Sequence, residues 1–157
     1  MRVGLGYDSH RFVADRPLIL AGQRIPHPLG LAGHSDADAV AHAVIDALLG
    51  ATGLGDIGTL FPDTDPAWKD ADSMELLRQV GARLSAGGWR PRQIDVTVVL
   101  EAPKLGPAKP AMAAALARAL GLDADAVGVK AKTNEGMGFI GRGEGIAVLA
   151  VATVDRT

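Results

Sequence analysis

The strongest structural signal in the chain is the segment Ser35-Asp-Ala-Asp38-Ala-Val40-Ala-His42-Ala-Val44-Ile45-Asp-Ala-Leu48-Leu49-Gly-Ala-Thr-Gly53. Its apolar residues recur at helical spacing, which predicts a helix that buries one face against a core. We expect Ser35 to cap this helix and Asp38, three residues later, to return the hydrogen bond as in a capping box. Gly53 stands just beyond the last apolar residues, where a helix typically ends.

Shorter patterns on both sides of this helix predict an α+β fold, a mixed α/β two-layer sandwich in which one sheet packs against helices. Strands are expected at 3–8, 94–100, 127–133 and 146–154, and further helices at 73–84 and 107–120. Leu18–Leu20 and Gln23–Ile25 flank Ala21-Gly22 and predict a small hairpin. Aromatic residues make up only 4% of the chain, so the layers are thin, and we expect a copy of the chain to cover the other face of the sheet.

Length, composition and charge exclude several classes of protein. The 157 residues suit one domain, which we place at 1–157. The absence of cysteine excludes disulfide scaffolds and thiolate chemistry. A formal charge of −2 argues against binding to nucleic acid, which usually needs a basic face. No stretch reaches the ~20 apolar residues of a membrane span and no leader is visible, so we expect a cytoplasmic protein without a membrane partner.

Three residues near the start of the chain predict a metal site. Asp8 and His10 are two apart on a strand, so their side chains point to the same face, and His42 lies on the first helix. One carboxylate and two imidazoles form a common ligand set for zinc or another divalent ion with an open position. Asp46, one turn beyond His42, is expected to orient the imidazole of His42. An Asp–His hydrogen bond at a strand end is the simpler alternative.

Three loops could hold a ligand. The segment Gly33-His34-Ser35-Asp36 precedes the first helix, where backbone N–H groups favour an anion. In the loop from Asp56 to Asp65, the carboxylates of Asp56 and Asp63 could accept hydrogen bonds from a polyol, although a solvated acidic loop has the same appearance. Residues 100–106 follow a strand and precede a helix, a usual place for ligands in α/β sheets.

A fourth segment, 131–145, runs from a strand into a glycine-rich stretch. Glycine lets the backbone approach a ligand or a neighbour closely. Glu135 could hold magnesium against phosphate oxygens. The spacing matches neither the P-loop nor the dinucleotide-binding pattern. In the simpler alternative, Arg142 and Glu144 form a surface ion pair of little energetic value.

The motifs together resemble one family over nearly the whole chain. They are Asp8-Ser-His10, His34-Ser35 with His42, Asp56-Ile-Gly58 with Phe61-Pro-Asp63-Thr-Asp65, Ala102-Pro-Lys104, and Lys132-Thr133-Asn-Glu135 with Gly-Arg142-Gly-Glu144-Gly. In order and spacing they are similar to the 2-C-methyl-D-erythritol 2,4-cyclodiphosphate synthases of the non-mevalonate isoprenoid pathway. No motif position departs from the pattern of that family.

The resemblance implies a lyase that forms a homotrimer with active sites between subunits. The implied reaction converts 4-diphosphocytidyl-2-C-methyl-D-erythritol 2-phosphate into the cyclic diphosphate and CMP. The implied metal ligands are Asp8, His10 and His42 for zinc and Glu135 for magnesium or manganese, and His34 and Thr133 would stabilise the transition state. The implied substrate contacts are Ser9, Ser35, Asp56, Ile57, Gly58, Phe61, Pro62, Asp63, Thr64, Asp65, Leu100, Glu101, Ala102, Pro103, Lys104, Leu105, Gly106, Lys132, Asn134, Phe139 and Arg142.

The residues suit this chemistry. The nucleophile is a substrate phosphate, which is largely dianionic at neutral pH because its second pKa is about 6. No serine, cysteine or catalytic base is required, and the sequence offers no convincing triad. Two other functions fit the same residues: an iron(II) oxygenase using the Asp–His–His set, and a non-catalytic trimer that senses cytidine nucleotides. Bound iron with oxygen-dependent turnover would support the first, and nucleotide binding without CMP release the second.

Overall fold

A computed structural model describes all residues from 1 to 157 and shows a five-stranded sheet in the order β4-β1-β7-β5-β6, with a separate ribbon of β2 and β3. The strands are β1 (Arg2–Val13), β2 (Leu18–Leu20), β3 (Gln23–Ile25), β4 (Gly30–Leu31), β5 (Trp89–Val99), β6 (Val127–Lys132) and β7 (Gly145–Arg156). The helices are α1 (Ala39–Thr52), α2 (Ile57–Leu60), α3 (Ser73–Ala86), α4 (Lys109–Leu120) and α5 (Gly138–Gly141), with short 3₁₀ turns at Pro66–Trp68 and Ala124–Ala126.

Helix α1 lies unusually close to β1 because small residues line both elements. Gly4 and Gly6 of β1 face the backbone of α1. A Cβ atom on Gly6 would lie 2.8 Å from the nitrogen of Ala47, and nearer still to the carbonyl oxygen of Ala43. This contact fixes the position of α1, and with it His42, over the part of β1 that carries Asp8.

The other face of the sheet is apolar and exposed. The alternation along β1 turns Val3, Leu5 and Tyr7 away from the helices, and Leu5 is 65% exposed. In the antiparallel register, Leu149 and Val151 of β7 stand opposite Tyr7 and Leu5, so the five side chains form one patch. The two-layer sandwich with helices on one face is confirmed. The expectation that a second chain covers the exposed face stays a prediction.

The predicted start of the first helix is wrong. Helix α1 begins at Ala39, and its cap is Asp38, whose carboxylate accepts hydrogen bonds from the backbone N–H groups of Val40 and Ala41. The same carboxylate accepts from Ala21 at 2.9 Å and from Gly22 at 2.7 Å. Asp38 therefore caps α1 and also anchors the turn of the predicted hairpin, which the structure confirms as β2 and β3.

The other long helices and strands form where the sequence predicts a helix or a strand, whereas several short elements were not predicted. Helices α3 and α4 and strands β6 and β7 lie where the sequence predicts them, within two residues at each end, whereas β5 begins at Trp89, five residues before its predicted start. Strand β1 runs to Val13, five residues further than predicted. Strand β4 and the four-residue helices α2 and α5 are not predicted. The helices of this chain are all too short or too polar to cross a membrane.

Candidate active site

The predicted metal ligands meet at one point between β1 and α1. The Oδ2 atom of Asp8 lies 2.8 Å from Nε2 of His10 and 3.0 Å from Nδ1 of His42. The two ring nitrogens are 3.3 Å apart. Four ligands arranged tetrahedrally around zinc, with bonds of about 2.0 Å, stand about 3.3 Å from one another. The three side chains thus already have nearly the spacing that zinc requires.

The chemistry of the donors fits a cation as well. Nδ1 of His10 lies 2.6 Å from the carbonyl oxygen of Ala32. A carbonyl can only accept, so Nδ1 of His10 carries the proton and Nε2 presents a lone pair. This lone pair of His10 faces Nδ1 of His42 and the carboxylate of Asp8. A single cation bound between the three groups would accept an electron pair from each of them. The cluster has three protein ligands, the number typical of catalytic zinc sites with an open position.

Without a metal ion the same groups pair with one another. Burial raises the pKa of Asp8, but hydrogen bonds from His10 and His42 together with their charges outweigh it and lower this pKa to about 2. Burial lowers the pKa of His10, but the hydrogen bond to Asp8, the charge of Asp8 and the contact with the carbonyl of Ala32 together outweigh it, so the net shift is upward. A metal ion takes the place of the proton that His10 and Asp8 share, so metal binding releases protons here.

Asp46 does not orient His42, contrary to the sequence prediction. Its Oδ1 atom accepts a hydrogen bond from the backbone N–H of Ile57 at 2.8 Å. The ring of His42 is held instead by hydroxyl groups: Nε2 lies 2.9 Å from Oγ of Ser73 and 3.2 Å from Oγ of Ser35. Asp46 therefore ties the loop after α1 to the helix rather than supporting the metal ligand.

A cavity of about 430 Å³ opens beside the ligands, and we call it the metal cavity. This volume lies within the range of typical small-molecule sites. It brings together two metal ligands and several predicted substrate contacts, and adds Trp68 and Leu76, which the sequence did not single out. Its lining is His10, Gly33, His34, Ser35, His42, Ile57, Gly58, Phe61, Asp63, Trp68 and Leu76.

The segment 33–36 does not lie in the first turn of α1, contrary to the sequence prediction, and the carboxylate of Asp38 already accepts from the N–H groups of that turn. Anion binding by this segment stays a prediction. Arg16 lies beside the segment, and its guanidinium donates to the carbonyl oxygens of Gly33 at 2.7 Å and Ser35 at 2.6 Å. Arg16 thereby fixes the backbone on both sides of His34.

The acidic loop after α1 is only partly free to bind a polyol. Asp56 caps α2, and its Oδ1 atom accepts from the hydroxyl of Thr59 at 2.7 Å and from the backbone N–H of Thr59 at 2.8 Å. Those bonds lower the pKa of Asp56. Asp65 caps the turn at 66–68 by accepting from Ala67. Asp63 lines the metal cavity, beside the edge-to-face pair of Phe61 and Trp68.

A second, smaller cavity of about 70 Å³, which we call the loop cavity, gathers the predicted residues that follow β5 and β6. The carboxylate of Glu101 accepts from the backbone N–H groups of Asn134 at 2.8 Å and Gly136 at 3.3 Å, which joins the two loops. The hydroxyl of Thr133 donates to Glu135 at 3.0 Å. The cavity is lined by Leu100, Glu101, Pro103, Lys104, Leu105, Ala131, Lys132 and Thr133.

The remaining predicted contacts lie outside both cavities. The alternation of β1 places Ser9 on the opposite face from Asp8, where it lines a third cavity together with Phe139 and Glu144. Arg142 pairs with Glu144 at 2.6 Å on the surface. Eight predicted substrate contacts are absent from the lining of all three cavities, namely Asp56, Pro62, Thr64, Asp65, Ala102, Gly106, Asn134 and Arg142.

The metal cavity and the loop cavity do not meet within one chain. Asp8 is in register with Val148 of β7, Val148 with Val98 of β5, and Val98 with Ala131 of β6. The metal ligands and the segment containing Lys132 are thus three strands apart, which corresponds to about 14 Å across the sheet. Each chain holds two separate parts of the predicted site.

A family model and a named relative both match nearly the whole chain. The chain matches the model of the YgbB family over residues 1–155. It is 58% identical over 154 residues to a 2-C-methyl-D-erythritol 2,4-cyclodiphosphate synthase of Salinibacter ruber, a match that covers 98% of each chain.

Solved structures share the fold. The chain superposes on the bifunctional IspDF of Campylobacter jejuni with a TM-score of 0.96 and 47% identity, covering 99% of this chain and 42% of that longer protein. A 2C-methyl-D-erythritol-2,4-cyclodiphosphate synthase in a CDP-bound form superposes with a TM-score of 0.90 and 44% identity. That match covers 98% of this chain and 100% of the other.

Proposed function

The chain belongs to the YgbB family, and on that premise we propose that residues 1–157 form one catalytic domain of a 2-C-methyl-D-erythritol 2,4-cyclodiphosphate synthase. The substrate is 4-diphosphocytidyl-2-C-methyl-D-erythritol 2-phosphate. An oxygen of its 2-phosphate forms a bond to the β-phosphorus, the bond from that phosphorus to the α-phosphate oxygen breaks, and CMP leaves. The observation that carries the proposal is the convergence of Asp8, His10 and His42 beside a cavity of about 430 Å³.

The metal ligands are assigned as follows. Asp8, His10 and His42 hold zinc, and Glu135 holds magnesium or manganese, which take one or two carboxylates together with phosphate oxygens. When bound, the two ions supply Lewis-acid neutralisation of the phosphates that must approach each other. The donor geometry around Asp8 supports the first assignment. The exposed carboxylate of Glu135, beside the hydroxyl of Thr133, supports the second.

The side chains around the metal ligands orient the substrate. His34 and Ser35, on the backbone that Arg16 fixes, bind the phosphate of the methylerythritol end. The pair of Phe61 and Trp68 packs on the carbon skeleton, and Asp63 accepts hydrogen bonds from its hydroxyls. No general base is needed, because the attacking phosphate is already deprotonated at neutral pH. Holding both ends of one molecule in a bent conformation lowers the entropic barrier, by as much as about 7–11 kcal/mol in favourable cases.

Residues of the loop cavity bind the cytidine diphosphate end. Lys104 and Lys132 flank the cavity and offer positive charge to the diphosphate, and the hydroxyl of Thr133 donates to it as charge develops on the departing CMP. Glu101 keeps the two loops at a fixed separation through its bonds to Asn134 and Gly136. The CDP-bound relative of 44% identity is consistent with a cytidine ligand.

We propose further that the complete site forms between subunits of a homotrimer. About 14 Å separate the two parts of the site within one chain, so the metal cavity needs the loop cavity of a neighbour. The exposed patch of Val3, Leu5, Tyr7, Leu149 and Val151 offers an apolar surface for such assembly. We place this enzyme in the cytoplasm, with a small-molecule substrate and without nucleic-acid or membrane partners.

Mixing two variants, each impaired in a different part of the site, tests both parts of the proposal. His42→Ala chains lack a zinc ligand, and Glu135→Gln chains lack the carboxylate for the second ion. Unfolded together in equal amounts and refolded, they should form mixed trimers in which about one quarter of the sites combine an intact half from each. CMP release from the diphosphocytidyl substrate should return to that fraction of wild-type activity. If wild type releases CMP but the mixture does not, the intersubunit site is wrong; if wild type releases none, the activity is wrong.

A further inference from the structure

We propose that Ser73 and Asp36 are positioning residues for the metal centre, holding His42 as the tautomer whose Nδ1 lone pair faces Asp8 and His10. Ser73 belongs to none of the motifs that the sequence pointed to, and Asp36 appears there only as the last residue of the segment 33–36. The inference rests on the proposed metal site, and it concerns the support of one ligand rather than the ligand set itself. Its basis is a chain of hydrogen bonds from His42 to Ser73 to Asp36.

Asp36 determines which atom donates and which accepts in each of these hydrogen bonds. One carboxylate oxygen accepts from the backbone N–H of Ser73 at 3.1 Å. The other accepts from the backbone N–H of Asp38 at 3.1 Å and from the hydroxyl of Ser73. A carboxylate can only accept hydrogen bonds. The single hydroxyl hydrogen of Ser73 therefore points to Asp36.

The fixed hydroxyl of Ser73 in turn determines which ring nitrogen of His42 carries the proton. The Ser73 residue is fully buried at the start of α3. With its hydrogen directed to Asp36, its oxygen offers only lone pairs to Nε2 of His42, at 2.9 Å. Nε2 must then carry the ring proton, which leaves the lone pair on Nδ1, the atom 3.0 Å from Asp8. The hydroxyl of Ser35 lies 3.2 Å from Nε2 and 3.4 Å from Oγ of Ser73, so it can accept from Nε2 while its own hydrogen points to Ser73.

Each imidazole of the site thus donates a hydrogen bond from one ring nitrogen to an acceptor of its own. His10 donates from Nδ1 to the carbonyl of Ala32, and His42 donates from Nε2 to Ser73. In both cases an obligate acceptor on one side of the ring leaves a free lone pair on the other. Supporting bonds of this kind typically alter metal affinity by about 10–100-fold.

Backbone hydrogen bonds also fix the segments that carry Asp36 and Ser73. Asp36 donates its own N–H to the carbonyl of Ala71, and Asp70 donates to the carbonyl of His34. These bonds hold the segment before α1 against the segment before α3. Ser73 and Asp36 therefore stay in contact without help from a ligand.

Zinc affinity of the purified protein, measured by competition with a chromogenic chelator, tests the inference. Ser73→Ala is expected to weaken zinc binding by about 10-fold or more, and Ser73→Thr, which keeps the hydroxyl, to bind nearly as wild type. Thr52→Val is the matched control. It also removes a buried hydroxyl, one that donates to Leu48 and Leu49 on the same helix as His42, and it should leave zinc affinity unchanged.

Nitrogen-15 NMR of the histidine rings provides a readout that does not depend on activity. In the metal-free proteins near pH 8, the fraction of His42 that carries its ring proton on Nε2 should be lower in Ser73→Ala than in the wild type. An Nε2–H fraction that does not fall in Ser73→Ala, or unchanged zinc affinity in that variant, overturns the inference. A wild type that binds no zinc at all refutes the metal site instead.

Discussion

Replacing Gly6 with alanine should both destabilise the protein and weaken its metal site. The added Cβ atom would lie 2.8 Å from the nitrogen of Ala47, whereas ordinary contacts of this kind are 3.4–4 Å. The carbonyl oxygen of Ala43 would be nearer still, so helix α1 must move outward by more than roughly 1 Å, a strain that typically costs about 1–3 kcal/mol and occasionally more. For a chain of this size the melting temperature falls by roughly 2–12 °C. The same movement carries His42 away from Asp8 and should weaken zinc binding.

The control is Gly50→Ala on the same helix. Gly50 is exposed in α1, and a Cβ atom there would meet nothing within 4 Å. This substitution should raise the free energy of unfolding by about 0.5–1 kcal/mol, because alanine favours helix over glycine. Both variants and wild type are compared by thermal unfolding at one protein and zinc concentration. A Gly6→Ala protein that melts with wild type and binds zinc normally would refute the close packing of α1 on β1.

Three further outcomes are expected. His42→Ala should lose zinc, measured by metal analysis, yet keep its circular dichroism spectrum, because the ligand does not contribute to the core. Glu135→Gln should lower turnover and raise the magnesium concentration needed for half-maximal CMP release; an unchanged requirement contradicts its role. In the metal-free protein, the lowered pKa of Asp8 contributes on the order of 2 kcal/mol above about pH 4, lost as the pH falls toward 2. The raised pKa of His10 contributes stability below about pH 6.5, lost as the pH rises through its folded value. Urea unfolding with a chelator should show this decline as the pH rises above about 6.5, and His10→Gln should abolish it.

The longer elements could be predicted because burial imposes a period on the sequence. In α3 the buried positions Met74, Leu77, Val80 and Leu84 recur at helical spacing. Strand β5 alternates buried and exposed side chains from Ile94 onward. The short elements carry no such period. Helices α2 and α5 have only four residues each, two of them glycine in α5, and their position is set by contacts with distant parts of the chain.

The ligand set could be predicted as well, since the two-residue spacing of Asp8 and His10 sends both to one face. The supporting residues could not. Ser73 lies 31 positions from His42 in sequence, and a serine at the start of a helix has the same appearance whether or not it supports a ligand. The cap at Asp38 was missed for a related reason. Ser35, the predicted cap, and Asp38 are both good capping residues, and only the packing of the β2–β3 turn against Asp38 selects between them.

The central position of β7 has a consequence for how the protein acquires its metal during synthesis. Strand β7 lies between β1 and β5, yet 134 residues separate Arg11 from its partner Gly145. While the ribosome is still translating the middle of the chain, β1 has only the two-residue β4 beside it, and pairings this distant in sequence form slowly. Asp8 and His10 then have no rigid frame, although every zinc ligand has already emerged. Zinc should therefore be captured only after β7 has been synthesised and has paired with β1.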